Sequence, residues 1–325
     1  MHIQRGAWAE INLDAVAHNV QMAKANLKPT TKLCAVVKAD AYGHGAVRVA
    51  QEAARNGADF FAVALLQEGV KLREAGIETP ILVLGSMLPE VAEICVRYDI
   101  SHAVFDEERL YALNAAALKL HTKAKIHIKI DTGMHRIGVH VRDAGRFAKL
   151  AASLPGIYIE GVFSHFATAD ADDKQYAAYQ FERFQEALRL IEAEGVHIPI
   201  RHIANSAALT ELQEYQLDMV RQGITLYGLH PAHMIDCYKD FEPVMTVKTQ
   251  VAFVKTLPPG ETIGYGRTYT LTRPSVIATV PIGYADGVSR RLSNRGYMLV
   301  NGMKAPIIGL SLIHISEPTR LDVIS

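Results

Sequence analysis

Cysteine is scarce in this chain: three in 325 residues, Cys34, Cys95 and Cys237, far apart and in no C-x-x-C pair. That spacing leaves no disulfide framework and no cysteine-based metal knuckle, and it fits a reducing compartment. Neither sign of charge is in excess, since Lys+Arg and Asp+Glu are both 34. Nothing electrostatic therefore points to nucleic acid or an anionic membrane as partner. No apolar stretch approaches the length of a membrane span, and the start "MHIQRGAWAEINLD" has no apolar signal core. The expectation is a soluble, cytoplasmic protein. A G-x-G-x-x-G turn is also missing, which argues against a dinucleotide-binding fold.

Apolar residues make up 49% of the chain and charged residues 21%, enough for a substantial core. Eight apolar runs rich in β-branched residues follow one another: 32–40, 60–66, 80–85, 102–106, 125–131, 159–166, 200–206 and 219–228. Between them lie segments of helical period. In 177–195, Tyr179, Phe181, Phe184, Leu188 and Ile191 form an apolar stripe and Gly195 supplies the stop. Strand alternating with helix implies parallel β-α units, and eight of them predict an α/β fold of the (β/α)₈ TIM-barrel type. An open doubly wound sheet is the other arrangement. After "LYGLHP" (226–231) the texture changes: 243–288 is rich in Val, Thr and Tyr with frequent Gly and Pro. It reads as a separate, mostly β domain beginning near 230–240.

The first run, "LCAVVKADAYGHG" (33–45), carries Lys38 directly after its apolar residues. An ammonium is costly to bury unless it is paired, neutralised or covalently used. Taken singly, Lys38 would cap a strand and reach solvent. Other run ends carry Asp131 with nearby Arg136, His165, Asn205 with Ser206, and Arg221. Each has a plain reading: a satisfied core histidine, a helix cap, or an ion pair of Arg221 with Asp218. Together they would line one mouth of a barrel, the face where such folds place their chemistry. An amine on a rigid strand can form a Schiff base with a carbonyl compound. The junctions "NSA" and "RQGITLYG" offer backbone N–H groups and a hydroxyl suited to phosphate. That combination points to pyridoxal phosphate. Schiff-base barrels of the aldolase type, and a metal-dependent hydrolase using His165, His202 and His230, stay open on spacing alone.

Five blocks, "AVVKADAYGHG", "KIDTGMHRIG", "HIANSAA", "VRQGITLYG" and "TIGYGRTYT", together resemble bacterial alanine racemase, in order and from about Trp8 to Gly309. The resemblance implies a (β/α)₈ barrel over 11–230 and a β domain over 231–309, joined by residues 1–10. It implies interconversion of L- and D-alanine through pyridoxal 5'-phosphate, supplying D-alanine for the bacterial cell wall. Lys38 matches the lysine that holds the cofactor and acts as base on the D enantiomer. Tyr265 matches the base for the L enantiomer, delivered from the partner subunit of a homodimer. Tyr42, Asn205, Ser206, Gly223 and Ile224 match the phosphate side of the cofactor site. His165 lies by the pyridine ring and Arg221 faces its nitrogen. Arg136 matches a residue near the substrate carboxylate, and Lys129 a lysine that is often carbamylated. Free amines and phenols both titrate near pH 10, so a site using them as bases must lower those values. An arginine keeps its proton and leaves the ring a weaker electron sink than an acid would. That argues against a decarboxylase of the same architecture. "TIGYGRTYT" argues against a non-catalytic pyridoxal-phosphate-binding barrel protein. A racemase of broader specificity, acting on serine as well, remains the alternative.

The end of the chain departs from this pattern. Gly309 is followed by Leu310, where the family continues with Arg and a Met-Asp pair. "LSLIHISEPTR" (310–320) reads as a translated sequencing-library adapter. Residues 310–325 are therefore expected to be a non-native tail without function, on a β domain left incomplete, and the chain itself to be poorly active.

Overall fold

A computed structural model of the chain describes residues 6–231, 238–309 and the backbone of 316–321. Residues 1–5, 232–237 with Cys237, 310–315 and 322–325 lie outside the described residues, and with them part of the expected domain boundary and most of the expected tail. The chain divides into two compact units, Asn12–Val244, and Met1–Ile11 with Met245–Ser325. Among the described residues no helix is long and apolar enough to cross a membrane.

Strand β1 (Ala7–Ile11) belongs to the second unit. The first unit opens with helix α1 (Leu13–Ala25). Asn12 starts it: its Oδ1 accepts the N–H of Asp14 and of Ala15 at 3.0 and 3.2 Å, satisfying two donors a helix end leaves open. Then come β2 (Lys32–Val36), β3 (Phe60–Val63), β4 (Ile81–Val83), β5 (Ser101–Val104), β6 (Ala124–Asp131), the short β7 (Val139–His140), β8 (Ile157–Phe163), β9 (Ile200–His202) and β10 (Met219–Gln222). Eight of these nine strands run parallel in the order β10-β2-β3-β4-β5-β6-β8-β9, and β7 is attached to β6. Between β9 and β10 the seam is carried by two backbone bonds, Asp218 N–H to Arg201 O at 3.0 Å and Arg221 N–H to Ala204 O at 3.1 Å. The result is a nearly closed eight-stranded barrel, and each predicted run overlaps one of its strands.

Helices α2 (Ala46–Arg55), α3 (Leu66–Glu74), α4 (Ala92–Arg97), α5 (Glu107–Lys119), α6 (Ala144–Ser153), α7 (Gln175–Ala193) and α8 (Ser206–Glu211) connect the strands. In α7 the buried face is Ala177, Gln180, Phe184, Ala187 and Ile191. The predicted stripe shares only Phe184 and Ile191 with it; Tyr179 is exposed. Full burial of each shared side chain contributes about 1.5–3 kcal/mol. The polar Gln180 displaces the aromatic because the loop after β8 needs its hydrogen bonds.

The first run ends sooner than its composition suggests. Strand β2 stops at Val36, and after Lys38 the chain makes one left-handed turn. Ala39, Asp40, Ala41 and Tyr42 all have φ between 51° and 55°, a conformation costing roughly 1–2 kcal/mol per L-residue. Contacts distant in sequence hold it there. Glu68 Oε1 accepts the Ala39 N–H at 2.6 Å, while its Oε2 accepts Ala64 N–H at 2.8 Å and Leu65 N–H at 3.0 Å. Asp40 Oδ1 accepts the Ala46 N–H at 3.0 Å at the start of α2, and the Lys71 ammonium at 3.2 Å.

The second unit is built from short antiparallel strands. β1 pairs with β11 (Met245–Thr249). β12 (Phe253–Leu257) pairs with β15 (Ser275–Val280), and β13 (Thr262–Ile263) with β14 (Tyr269–Thr270). β16 (Tyr297–Val300) pairs with β17 (Met303–Pro306), and β15 also pairs with β18 (Ser316–Leu321). Ile263, Leu271, Ile277 and Ile308 make its small core.

If the left-handed turn is strained, Ala39→Gly should raise the unfolding free energy by up to about 1 kcal/mol, because glycine carries no penalty at positive φ. Ala115→Gly on the exposed face of α5 should lower it by about 0.5–1 kcal/mol. Urea denaturation of the two variants checks this; equal losses would mean the turn stores no strain.

Candidate active site

A cavity of about 570 Å³ opens in the first unit, beyond the C-terminal ends of the barrel strands. Lys38, Tyr42, Lys129, Arg136, His165, Asn205, Ser206, Arg221, Gly223 and Ile224 all line it. Tyr265 does not: it sits in the second unit, between β13 and β14, with 65% of its surface exposed.

Lys38 is half-buried at the rim. Burial pushes its pKa down, the Arg136 charge adds to that, and the Glu68 carboxylate opposes it. Its Nζ lies 5.9 Å from the centre of the Tyr42 ring. That ring packs 5.0 Å from the ring of Tyr227, whose Oη donates to Val36 O at 2.8 Å. The left-handed turn thus puts the Tyr42 phenol beside the lysine and fixes it on the end of β2. Burial pushes the Tyr42 pKa up, so this phenol stays a donor.

Next to the Tyr42 hydroxyl lies a cradle of hydroxyls and backbone amides. Ser206 Oγ accepts the Gly223 N–H at 2.8 Å and bonds Thr225 Oγ1 at 3.2 Å. A Cβ added at Gly223 would stand 3.6 Å from both Ser206 Oγ and Tyr42 Oη. Glycine here leaves a pocket between two hydroxyls that any side chain would enter, a shape suited to a tetrahedral oxyanion. Asn205 Oδ1 accepts the Ala208 N–H at 3.1 Å, so its side chain also serves as the cap of α8.

Arg221 forms the floor, 2% exposed. Its Nη2 donates to Ser164 O at 2.8 Å, Ile203 O at 3.0 Å and His165 Nδ1 at 3.0 Å, and its Nη1 to His202 Nδ1 at 2.6 Å. Burial lowers its pKa only to about 10, so it remains a cation at neutral pH. The ion pair with Asp218 considered from sequence is not formed, because Asp218 binds Arg201 at 2.7 Å. Burial and then the Arg221 charge hold His165 and His202 well below the usual imidazole range. Both rings serve the guanidinium as acceptors. A metal sharing these nitrogens would face a cation already bound to them, which removes the hydrolase reading. Among the described residues no group of three or more His, Cys, Asp or Glu side chains is arranged to hold an ion.

Two residues escaped the sequence reading. Gln180 is fully buried; its Oε1 accepts the Ala167 N–H at 2.8 Å and its Nε2 donates to His165 O at 3.1 Å. It fixes the loop that carries His165, and only its helical register could have marked it. Glu68, which holds the turn after Lys38, follows its own strand end by a few residues and looks from sequence like an ordinary first-turn helix acid.

Lys129 is 4% exposed, with its Nζ 4.6 Å from the Phe163 ring centre. No ion pair joins its amine among the described residues; Asp131 binds His135 instead, at 3.0 Å. Burial, then Arg221 and Arg136, push its pKa well below 10.5. A lysine depressed in the fold binds fewer protons than in the unfolded chain, so it destabilises at low pH. That penalty fades as pH rises from the folded pKa toward the unfolded value. Lys129→Met should therefore raise the unfolding midpoint at neutral pH, and the advantage should shrink as pH approaches 10. Thermal melts across that range check it; a lower midpoint for the variant at pH 7 would contradict it.

Comparison with known proteins agrees with this geometry. The family model for the alanine racemase N-terminal domain matches residues 11–231, and the C-terminal domain model matches 244–310. An alanine racemase of Halothermothrix orenii is 47% identical over 307 residues, covering 94% of this chain and 81% of the relative. The solved alanine racemase of Clostridium difficile 630 superposes with a TM-score of 0.93 at 38% identity, over 100% of this chain and 85% of that one. That of Bartonella henselae, solved with covalently bound pyridoxal phosphate, gives 0.87 at 27% identity, over 99% of this chain and 88% of that one. With both domain models matched in order, the chain belongs to the alanine racemase family and is a racemase-type isomerase.

Proposed function

We propose that this enzyme interconverts L- and D-alanine, using pyridoxal phosphate held by Lys38 and two bases, Lys38 and Tyr265. The observation that carries this reading is one cavity joining a half-buried amine, a hydroxyl-lined cradle and a donor-only arginine floor. These residues fit the cofactor. Gly223 leaves open the space a phosphate needs, Lys38 can bind an aldehyde carbon, and Arg221 can offer an N–H to a ring nitrogen. The bound cofactor of the Bartonella henselae relative supports the same assignment.

When bound, pyridoxal phosphate withdraws electrons from the substrate α-carbon and so acidifies its hydrogen. The rest is done by the chain. Ser206, Asn205, Tyr42 and the Gly223–Ile224 backbone bind the phosphate. Arg221, which keeps its proton, would offer an N–H to the ring nitrogen without protonating it. Arg136, exposed at the mouth, binds the substrate carboxylate. Lys38, with its pKa lowered, holds a larger neutral fraction than a free lysine and takes or returns the α-proton on the D face. Tyr265 does the same on the L face. Because Tyr265 is exposed on its own chain, we assign it to the site of a partner copy, making the active form a homodimer. Lys129, pushed toward its neutral form, can take up carbon dioxide as a carbamate and lend a negative charge beside Arg136. The product D-alanine suits the bacterial cell wall, and we place the enzyme in the cytoplasm, where its buried thiols Cys34 and Cys95 stay reduced.

Borohydride reduction of the cofactor-loaded protein should label Lys38 on peptide mapping; a label on Lys129 or Lys32 instead would overturn the assignment. Tyr265→Phe should keep that label and lose on the order of 10²–10⁴-fold in racemisation of L-alanine, the usual weight of an acid–base group. Near-parental turnover by this variant would remove Tyr265 from the reaction.

A further inference from the structure

Behind Arg221 a line of polar side chains continues through the barrel, away from the cavity. His202 Nε2 lies 2.9 Å from His127 Nδ1, and His127 Nε2 lies 3.0 Å from Glu160 Oε2. Ser101 Oγ donates to the same oxygen at 2.5 Å. His127 and His202 are wholly buried, and the Glu160 side chain is 13% exposed. His127, His202 and Glu160 are not among the residues lining the cavity.

Two backbone features are shaped for this line. Along β6 and β8, Ile126 pairs with Ile159 but His127 pairs with Gly161, so Glu160 is left over as a bulge. A bulge re-aims its side chain, here onto a histidine of the barrel interior. A Cβ at Gly161 would stand 2.3 Å from His127 Nδ1 and 2.9 Å from Ile200 O. Only glycine leaves room for the imidazole.

The direction of the protons follows from the donor at the top. A guanidinium has N–H groups and no acceptor. His202 Nδ1 must therefore accept, which leaves its proton on Nε2. That proton points at His127 Nδ1, which must accept in turn, so the His127 proton is on Nε2 and points at Glu160. The reverse order would set an imidazole N–H against a guanidinium N–H at 2.6 Å. A reversal needs a donor at the far end, and a carboxylate is not one. Burial raises the Glu160 pKa, but the hydrogen bonds from His127 and Ser101 and the charge of Lys125 outweigh it, so the group is held below its usual value and stays ionised.

We propose that Glu160 is a positioning residue for the reaction: as a fixed acceptor it sets the tautomers of His127 and His202, and thereby keeps the acceptor that holds Arg221 in place. No proton moves along the line. It is a brace with a polarity, and its value for catalysis rests on the proposed function, in which Arg221 faces the cofactor ring.

Neutron diffraction from deuterium-exchanged crystals of the holoenzyme reads the tautomers directly. Deuterium should appear on Nε2 and not on Nδ1 of His127 and His202, with none on Glu160. Deuterium on His202 Nδ1 or on Glu160 overturns the proposal. Kinetics give a second test. Glu160→Leu should lower kcat for L-alanine by at least about tenfold, the scale of one hydrogen bond to a charged group, while KM stays within about threefold. Glu160→Gln, which keeps an acceptor oxygen, should recover most of kcat. Equal kcat in parent and both variants overturns the proposal. Lys38 labelling separates this from the functional reading. A parent that fails to label defeats that reading, whereas a labelled, active parent matched by Glu160→Leu defeats only the positioning role of Glu160.

Discussion

A guanidinium enclosed by a β-barrel has to be satisfied on every edge, and the polar interior of this protein is arranged around that requirement. Removing a cation from water costs several kcal/mol even after relaxation. Arg221 recovers part of this through two backbone carbonyls and two imidazoles. Each partner then acquires a constraint of its own. His165 and His202 must present Nδ1 as acceptor, which fixes their tautomers, and the loop after β8 must hold still to keep His165 and Ser164 in place. Gln180 does the latter from α7. The register of one outer helix is thereby tied to the floor of the site.

The rim is governed by a different constraint. Lys38 needs to leave the strand with its amine over the cavity, yet the next residues must bring Tyr42 back beside it. An extended chain would carry Tyr42 away, and a right-handed turn would direct it elsewhere. The left-handed turn achieves the return within four residues, and of these residues alanine and tyrosine do not favour it. The stabilisation comes from Glu68, whose carboxylate gathers N–H groups from two separate strand ends. The same carboxylate is the group that opposes the fall in the Lys38 pKa. Backbone strain and amine basicity are thus set together by one side chain.

The eight strands were legible because parallel strands buried on both faces read as continuous apolar runs. The polar residues at their ends were legible because that face of such a barrel has little other use for them. What escaped the sequence depends on contacts across long separations. The left-handed turn looked like strand, since its cause is 29 residues further on. Gln180 looked like a gap in an apolar stripe, since its partners lie in the loops that follow β8 and β6. Arg221 was offered Asp218 as a neighbour in sequence, but strand alternation sends the two toward different surroundings and Arg201 takes the carboxylate. Tyr265 drew attention by its G-Y-G setting and the family pattern, and its exposed place between two short strands carries no local sign of chemistry.

The choice of arginine at the floor has a consequence for the whole interior. A carboxylate there would need donors instead and would favour a protonated ring. An arginine needs several acceptors, and in a dry barrel neutral imidazoles and carbonyls are the acceptors that add no second charge. Lys129 forms no ion pair among the described residues and is flanked by Arg221 and Arg136, whose charges and burial push it toward its neutral form. Cations so placed attract anionic groups. A ligand that binds only the folded chain and brings an anion to these cations is expected to add to its stability.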